Sequence, residues 1–248
     1  MKIKNVLVSQ PKPASEKSPY YDIANKYGVK IDFHPFIKVV SVPAQEFRQQ
    51  KISILDHTAV IFTSRHSIDH FFTLCEELRI TIPETMKYFC NSEAIALYIQ
   101  KYVQYRKRKI FFGKTGKFEG LLPTIVKNKK EKFIIPMSDV HNSDIKTQLA
   151  QHSISLTEAV MYRTVSNELG DKNVTDYDLV IFFSPAGIAS LKEQFPDFKQ
   201  EKTCIGSFGE STAQAVVSSG LRLDLEAPTV TAPSMTAALE EFIKASNK

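Results

Sequence analysis

Apolar and polar positions along this chain fall into two alternating patterns, and the alternation repeats. Ala59-Val60-Ile61-Phe62 and Leu179-Val180-Ile181-Phe182 are uninterrupted apolar runs, each followed by an uncharged turn ending in serine (Thr63-Ser64 and Phe183-Ser184). Runs this short and this apolar predict strands buried on both faces, as in parallel sheets. After Ser64, the residues Ile68, Phe71, Phe72, Cys75 and Leu78 recur at helical spacing; after Ser184 and Pro185 the stripe is Ile188, Leu191 and Phe195. Serine before the first periodic residue, and proline in the first turn, are helix-start signals.

The two segments lie 120 positions apart, and Phe89-Cys90-Asn91-Ser92-Glu93-Ala94 lies over Phe208-Gly209-Glu210-Ser211-Thr212-Ala213 at an offset of 119. Both copies predict strand, turn, helix and then the same again. A weaker repeat precedes each copy. The strand at 1–8, the helical stretch bearing Ile23, Ala24 and Tyr27, and the extended run 29–40 broken at Pro35 correspond to a strand at 133–137, a helix at 142–151 and an extended run at 154–165. The stretches 41–57 and 166–177 carry no strong periodicity and read as linkers. The expected architecture is α/β: two similar lobes, each a small parallel sheet with helices on both faces. Equivalent loops of such lobes are expected to face a shared cleft.

The chain has 248 residues, enough for two domains of about 120. Its 43% hydrophobic and 24% charged content is that of a soluble globular protein, and no apolar run reaches the length of a membrane span. The first eight residues read as a strand rather than an export signal. Cys75, Cys90 and Cys204 are few, odd in number and far apart, which suits reduced thiols in a cytoplasm. A net charge of +5 suits an anionic partner without specifying one.

Most motif candidates fail on spacing. Gly113-Lys114-Thr115-Gly116-Lys117 resembles part of a phosphate loop, but position 108 is arginine and the cradle is incomplete. No Gly-x-Gly-x-x-Gly follows a strand, which argues against a dinucleotide. His66 and His70 are one helical turn apart, but Ser67 stands where a zinc protease needs glutamate, so a solvated helix face is expected and no metal site. The basic run 105–109 with Lys127, Lys129, Lys130 and Lys132 lacks interleaved stacking aromatics, so no nucleic-acid partner is expected.

What remains is a set of small polar turns where strands feed helices: Thr63-Ser64-Arg65, Asn91-Ser92-Glu93, Ser184-Pro185-Ala186-Gly187 and Glu210-Ser211-Thr212, with Ser138-Asp139 and Pro233-Ser234-Met235 nearby. Helix N-termini carry free N–H groups and partial positive charge, and accept carboxylates or phosphates. Ordinary capping accounts for any one turn. Six converging on one cleft would suit a ligand with many acidic groups.

These residues together resemble the uroporphyrinogen-III synthase family. The resemblance rests on Val60-Ile61-Phe62-Thr63-Ser64, Phe182-Phe183-Ser184-Pro185-Ala186-Gly187-Ile188, Glu210-Ser211-Thr212-Ala213, Pro233-Ser234-Met235-Thr236 and Tyr162-Arg163-Thr164. It implies a cytoplasmic, cofactor-free lyase, expected to be monomeric, that closes the linear tetrapyrrole hydroxymethylbilane into uroporphyrinogen III, inverting the last ring and releasing water. It also implies residues 1–38 plus 168–248 in one lobe and 39–167 in the other, joined by a two-stranded hinge near 37–42 and 164–172. Tyr162 is the implied catalytic candidate, assisting departure of the hydroxyl. Substrate-binding candidates are Gln10, Thr63, Ser64, Arg65, Ser92, Glu93, Ser138, Ser184, Pro185, Ala186, Gly187, Ser211, Thr212, Ser234 and Met235. The chain departs from the family pattern at Gln10, where many members carry arginine, at His66, often asparagine, and at Glu93, where a neutral residue can appear. A non-catalytic two-lobed binder of a small anionic ligand, and a nucleotide-handling α/β protein, are the alternatives.

Overall fold

The computed structural model describes residues 2–141 and 144–247. In chain order the elements are β1 (Asn5–Val8), α1 (Pro19–Tyr27), β2 (Lys30–Phe33), β3 (Ile37–Ser41), α2 (Ala44–Gln49), β4 (Ala59–Phe62), α3 (Arg65–Glu77), β5 (Lys87–Cys90), α4 (Glu93–Tyr98), β6 (Ile110–Phe112) and α5 (Phe118–Lys127). They continue with β7 (Phe133–Ser138), α6 (Asp144–Gln151), β8 (Leu156–Ser166), β9 (Leu179–Phe182), α7 (Pro185–Gln194), β10 (Cys204–Phe208), α8 (Glu210–Ser218), β11 (Leu225–Ala227) and α9 (Met235–Ser246). The first two residues of the helix expected at 142–151 lie outside the described residues.

Two units pack among themselves: Met1–Lys38 with Val165–Lys248, and Val39–Thr164. The first holds a sheet of order β11-β10-β9-β1-β2, parallel throughout. The second has order β3-β8-β7-β4-β5-β6, with parallel pairing from β8 to β6. Leaving out β3, the two orders are the same pattern read from different starting points in the chain. In each, one βαβ unit winds one way (β1 to β2; β7 to β8) and three strands wind the other way. The strand order therefore reverses between β1 and β9 in one sheet and between β7 and β4 in the other. Such switch points open a crevice at the carboxyl ends of the strands.

Strand alternation supplies both faces of each sheet. In β4, Val60 and Phe62 pack with Ile68, Phe71 and Leu74 of α3 on one side, while Ala59 and Ile61 pack with Leu121 and Ile125 of α5 on the other. In β9, Leu179 and Ile181 meet Leu239 and Ile243 of α9, while Val180 and Phe182 meet Ile188 and Leu191 of α7. This is why the strands read as continuous apolar runs.

The chain passes twice between the units, inside β3 and β8. These strands pair, with Val42 N–H donating to the Met161 carbonyl at 2.9 Å and Asn167 N–H to that of Phe36 at 2.8 Å. Partner numbers fall in one strand as they rise in the other, so this pair runs antiparallel. The expectation of plain linkers needs correction. Residues 41–57 contain α2 and a 3-10 turn, and bury Val42, Phe47 and Ile54. Residues 166–177 bury Leu169, Val174 and Tyr177. Their apolar residues are too widely spaced to show a period, yet each plugs one edge of a core.

Candidate functional site

Each sheet ends at its carboxyl edge in the small polar turns, and the local chemistry of capping fixes them there. Ser64 is the N-cap of α3: its hydroxyl accepts from Ser67 N–H at 3.1 Å, while the Ser67 hydroxyl accepts from Ser64 N–H at 3.2 Å, closing a capping box. Ser92, Ser184 and Ser234 cap α4, α7 and α9 in the same way, accepting from Ile95, Gly187 and Ala237 at 3.4, 3.3 and 3.2 Å. Each serine is extended, as an N-cap requires.

Helix α8 differs from these four. Alignment by sequence places Ser211 over Ser92, but the cap of α8 is Gly209, two residues earlier, at φ +87. Only glycine adopts that conformation without strain. Glu210, Ser211 and Thr212 are therefore the first turn of the helix, with Thr212 buried and Ser211 exposed. Met235 is also buried, in the core with Leu239, so its side chain faces away from solvent and only its backbone belongs to the turn. Pro185, Arg65 and Glu93 are exposed; Gln10, Thr63 and Ala186 are half-buried; and Gly187 is buried against Phe182. Ser138 ends β7 and donates to Asp139 at 2.9 Å. The partial phosphate-loop sequence forms the turn from β6 into α5. There a Cβ on Gly113 would stand 2.9 Å from the Asn91 carbonyl oxygen, so glycine lets this loop close against the neighbouring turn.

Tyr162 is brought to this edge by an irregularity in β8. Pairing runs Met137 with Val160 and then Ser138 with Tyr162, so Met161 is an extra residue and the register jumps. Bulges of this kind re-aim a side chain. The half-buried phenol lies beside the hydroxyl of Ser64; burial raises its pKa, and the Ser64 hydroxyl pulls it partly back. Two candidates nearly a hundred positions apart thus become one pair.

The structure adds residues that sequence reasoning passed over. His70 is not on a solvated face: its ring stacks on Tyr162, with centroids 5.1 Å apart and planes 22° apart. Its Nδ1 lies 2.7 Å from the Ser41 hydroxyl. His66 stacks on His70 at 6.3 Å. Beside them, Asp69 receives Tyr98 at 2.9 Å, Lys101 at 2.9 Å and the hydroxyl of Tyr102. Burial works to raise the Asp69 carboxyl, but the donors outweigh it and hold it below its ordinary range. The Arg65 guanidinium lies 5.3 Å from the centre of the Tyr98 ring. Helical spacing does connect residues 66, 69 and 70; nothing in the sequence connects them to β8. Arg163, next to Tyr162, pairs with Glu46 of α2.

Among the described residues no group of three or more His, Cys, Asp and Glu side chains is arranged to hold a metal ion, and no helix is long and apolar enough to cross a membrane.

Two sheets of equal topology, with serine-capped helix N-termini along their carboxyl edges, define a two-unit parallel α/β protein built to present backbone donors. The sequence profile of the family described as uroporphyrinogen-III synthase HemD matches residues 19–237, and the chain belongs to that family. Among solved structures it is similar to uroporphyrinogen-III synthetase from Helicobacter pylori 26695, with 17% identity and a TM-score of 0.59 over 98% of this chain and 100% of that one. It is also similar to a mutant uroporphyrinogen III synthase from the extremely thermophilic bacterium Thermus thermophilus, with 15% identity and a TM-score of 0.50 over 98% of each chain. At these identities the likeness is one of fold. No curated protein sequence matches the chain.

Proposed function

We propose that this protein cyclises hydroxymethylbilane to uroporphyrinogen III, inverting the last pyrrole ring with loss of water. The observation that carries the reading is family membership over residues 19–237. The site chemistry is consistent with it. A linear tetrapyrrole carries acetate and propionate arms on every ring, and the carboxyl-edge turns offer free N–H groups at the positive ends of α3, α4, α7, α8 and α9.

The reaction asks little of acid–base groups. Departure of the hydroxyl leaves a cation stabilised by the pyrrole, and closure through a spiro intermediate is then a matter of geometry. No cofactor is needed to stabilise that charge. Tyr162 is placed to donate to the leaving hydroxyl. The neighbouring Ser64 hydroxyl offsets part of the rise that burial imposes on the phenol's pKa, so the proton is easier to share than burial alone would allow. The protein's main task is to fold the polyanion so that the inverted closure outruns the direct one.

The test is to supply enzymatically generated hydroxymethylbilane and separate the isomers by chromatography. Type III product is expected. Type I alone, the spontaneous isomer, would overturn the reading, and binding of uroporphyrinogen without turnover would favour a non-catalytic binder.

A further inference from the structure

A phenol that must donate to one leaving oxygen needs its ring plane fixed, because the direction of the O–H bond follows the ring. Tyr162 sits at a register jump near the end of β8, where the ladder gives its side chain less support than a regular strand would. One face of its ring is covered by the imidazole of His70, on the second turn of α3, the helix that Ser64 caps. His70 is itself held from a different strand: the Ser41 hydroxyl, at the end of β3, is 2.7 Å from its Nδ1. On the helix side His66 and Asp69 are its charged or titratable neighbours. Burial lowers the His70 pKa, His66 lowers it further and Asp69 opposes them, so the ring is neutral near pH 7 and stacks without a net charge.

An aliphatic side chain at position 70 would fill the same space. It would not accept or donate to Ser41, and it would leave the tilt of the Tyr162 ring free. The hydrogen bond from β3 and the stack onto β8 form a chain of two contacts ending at the candidate catalytic oxygen.

We propose that His70 is a positioning residue for Tyr162, pinned by Ser41 and holding the phenol in register with the Ser64 hydroxyl. The inference rests on the reading above, in which Tyr162 donates to the departing hydroxyl.

The experiment uses the full-length enzyme with His70→Ala, His70→Phe, Ser41→Ala, Tyr162→Phe and the double variant His70→Ala/Tyr162→Phe. In an otherwise unaltered enzyme, His70→Ala should lower kcat about tenfold, with KM changed by less than about twofold, because misaligned groups lose rate rather than binding. His70→Phe and Ser41→Ala each keep a flat ring on the phenol but lose the bond between β3 and position 70, so both should lose less than His70→Ala and by similar factors. In the Tyr162→Phe background, His70→Ala should cost less than about twofold, since residues acting through one another are not additive. An equal loss in both backgrounds, or no loss at all, would overturn the proposal, because a structural role does not depend on the phenol. A second readout does not need turnover. With ring-carbon-labelled tyrosine, the flip rate of the ring whose signal is absent from Tyr162→Phe should rise in His70→Ala, a change that loss of the imidazole ring current does not by itself produce; an unchanged flip rate sinks the positioning role. If the unaltered enzyme yields only type I isomer, the functional reading fails and the labelled ring decides the positioning on its own.

Discussion

The phenol of Tyr162 lies beside one serine hydroxyl, and that serine is at the same time the cap of α3. On the proposed function that one side chain serves both the fold and the chemistry, and substitutions separate the two. Tyr162→Phe keeps the ring and its stack on His70, so turnover should fall by about 100-fold, the low end of what a positioned proton donor contributes, before thermal stability changes. Unchanged turnover would remove the tyrosine from the chemistry. Ser64→Ala should instead lower both turnover and stability, the latter by about 1 kcal/mol for the lost cap, read from urea unfolding. Both residues are named by sequence, through the strand-to-helix turn and the family resemblance. His70 is not: a histidine at helical spacing from another histidine reads as a wet face, and only the approach of β8 reveals that one of the two is covered.

Among the elements, the proposed function assigns the carboxylates to the helix N-termini, and to their backbone more than to their side chains. If N–H groups grip the carboxylates, Ser184→Gly and Ser234→Gly should each leave KM within about threefold, because glycine caps nearly as well as serine. A tenfold rise in KM from either would assign the grip to hydroxyls. Gly209→Ala is the counter-case. The added methyl meets nothing within 4 Å, yet the φ of +87 disfavours any L side chain. A loss of about 1 to 3 kcal/mol is expected from the backbone alone, measured by denaturant unfolding; an unaffected midpoint would mean that the N-cap of α8 relaxes. The helices that start with a serine cap are legible from sequence by the apolar run before them. The start of α8 is not, because a helix entered through a left-handed glycine has no capping hydroxyl to mark it, and self-alignment then slips by two residues. The linker stretch 41–57 is opaque for a related reason: α2 has six residues and buries a single phenylalanine, Phe47, too few for a period to emerge.

Across the whole molecule, the thiols divide by unit. Cys75 and Cys90 are in Val39–Thr164, and burial pushes both up to about 12. Cys204 is in the other unit and only partly covered. A thiol reagent at pH 8 should therefore label Cys204 first and reach the other two when the second unit opens, since the thiolate is the reactive form. Mass spectrometry of labelled peptides across a urea series would read that opening by itself. Labelling of Cys75 or Cys90 in native buffer as fast as Cys204 would contradict the burial.

By itself the sequence determined the α/β class, most of the strands and the serine-capped starts of α3, α4 and α7, because these depend on apolar period and capping chemistry within a dozen residues. It also carried enough of a distributed pattern to indicate the family. What only the tertiary structure decided is which strands are neighbours. The rotated strand order, the antiparallel β3–β8 pair and the column from Ser41 through His70 to Tyr162 join residues up to 173 positions apart, the separation at which Val6 pairs with Leu179. Contacts at such separations are chosen by how whole sheets bury their faces, and local residue order holds no trace of that choice.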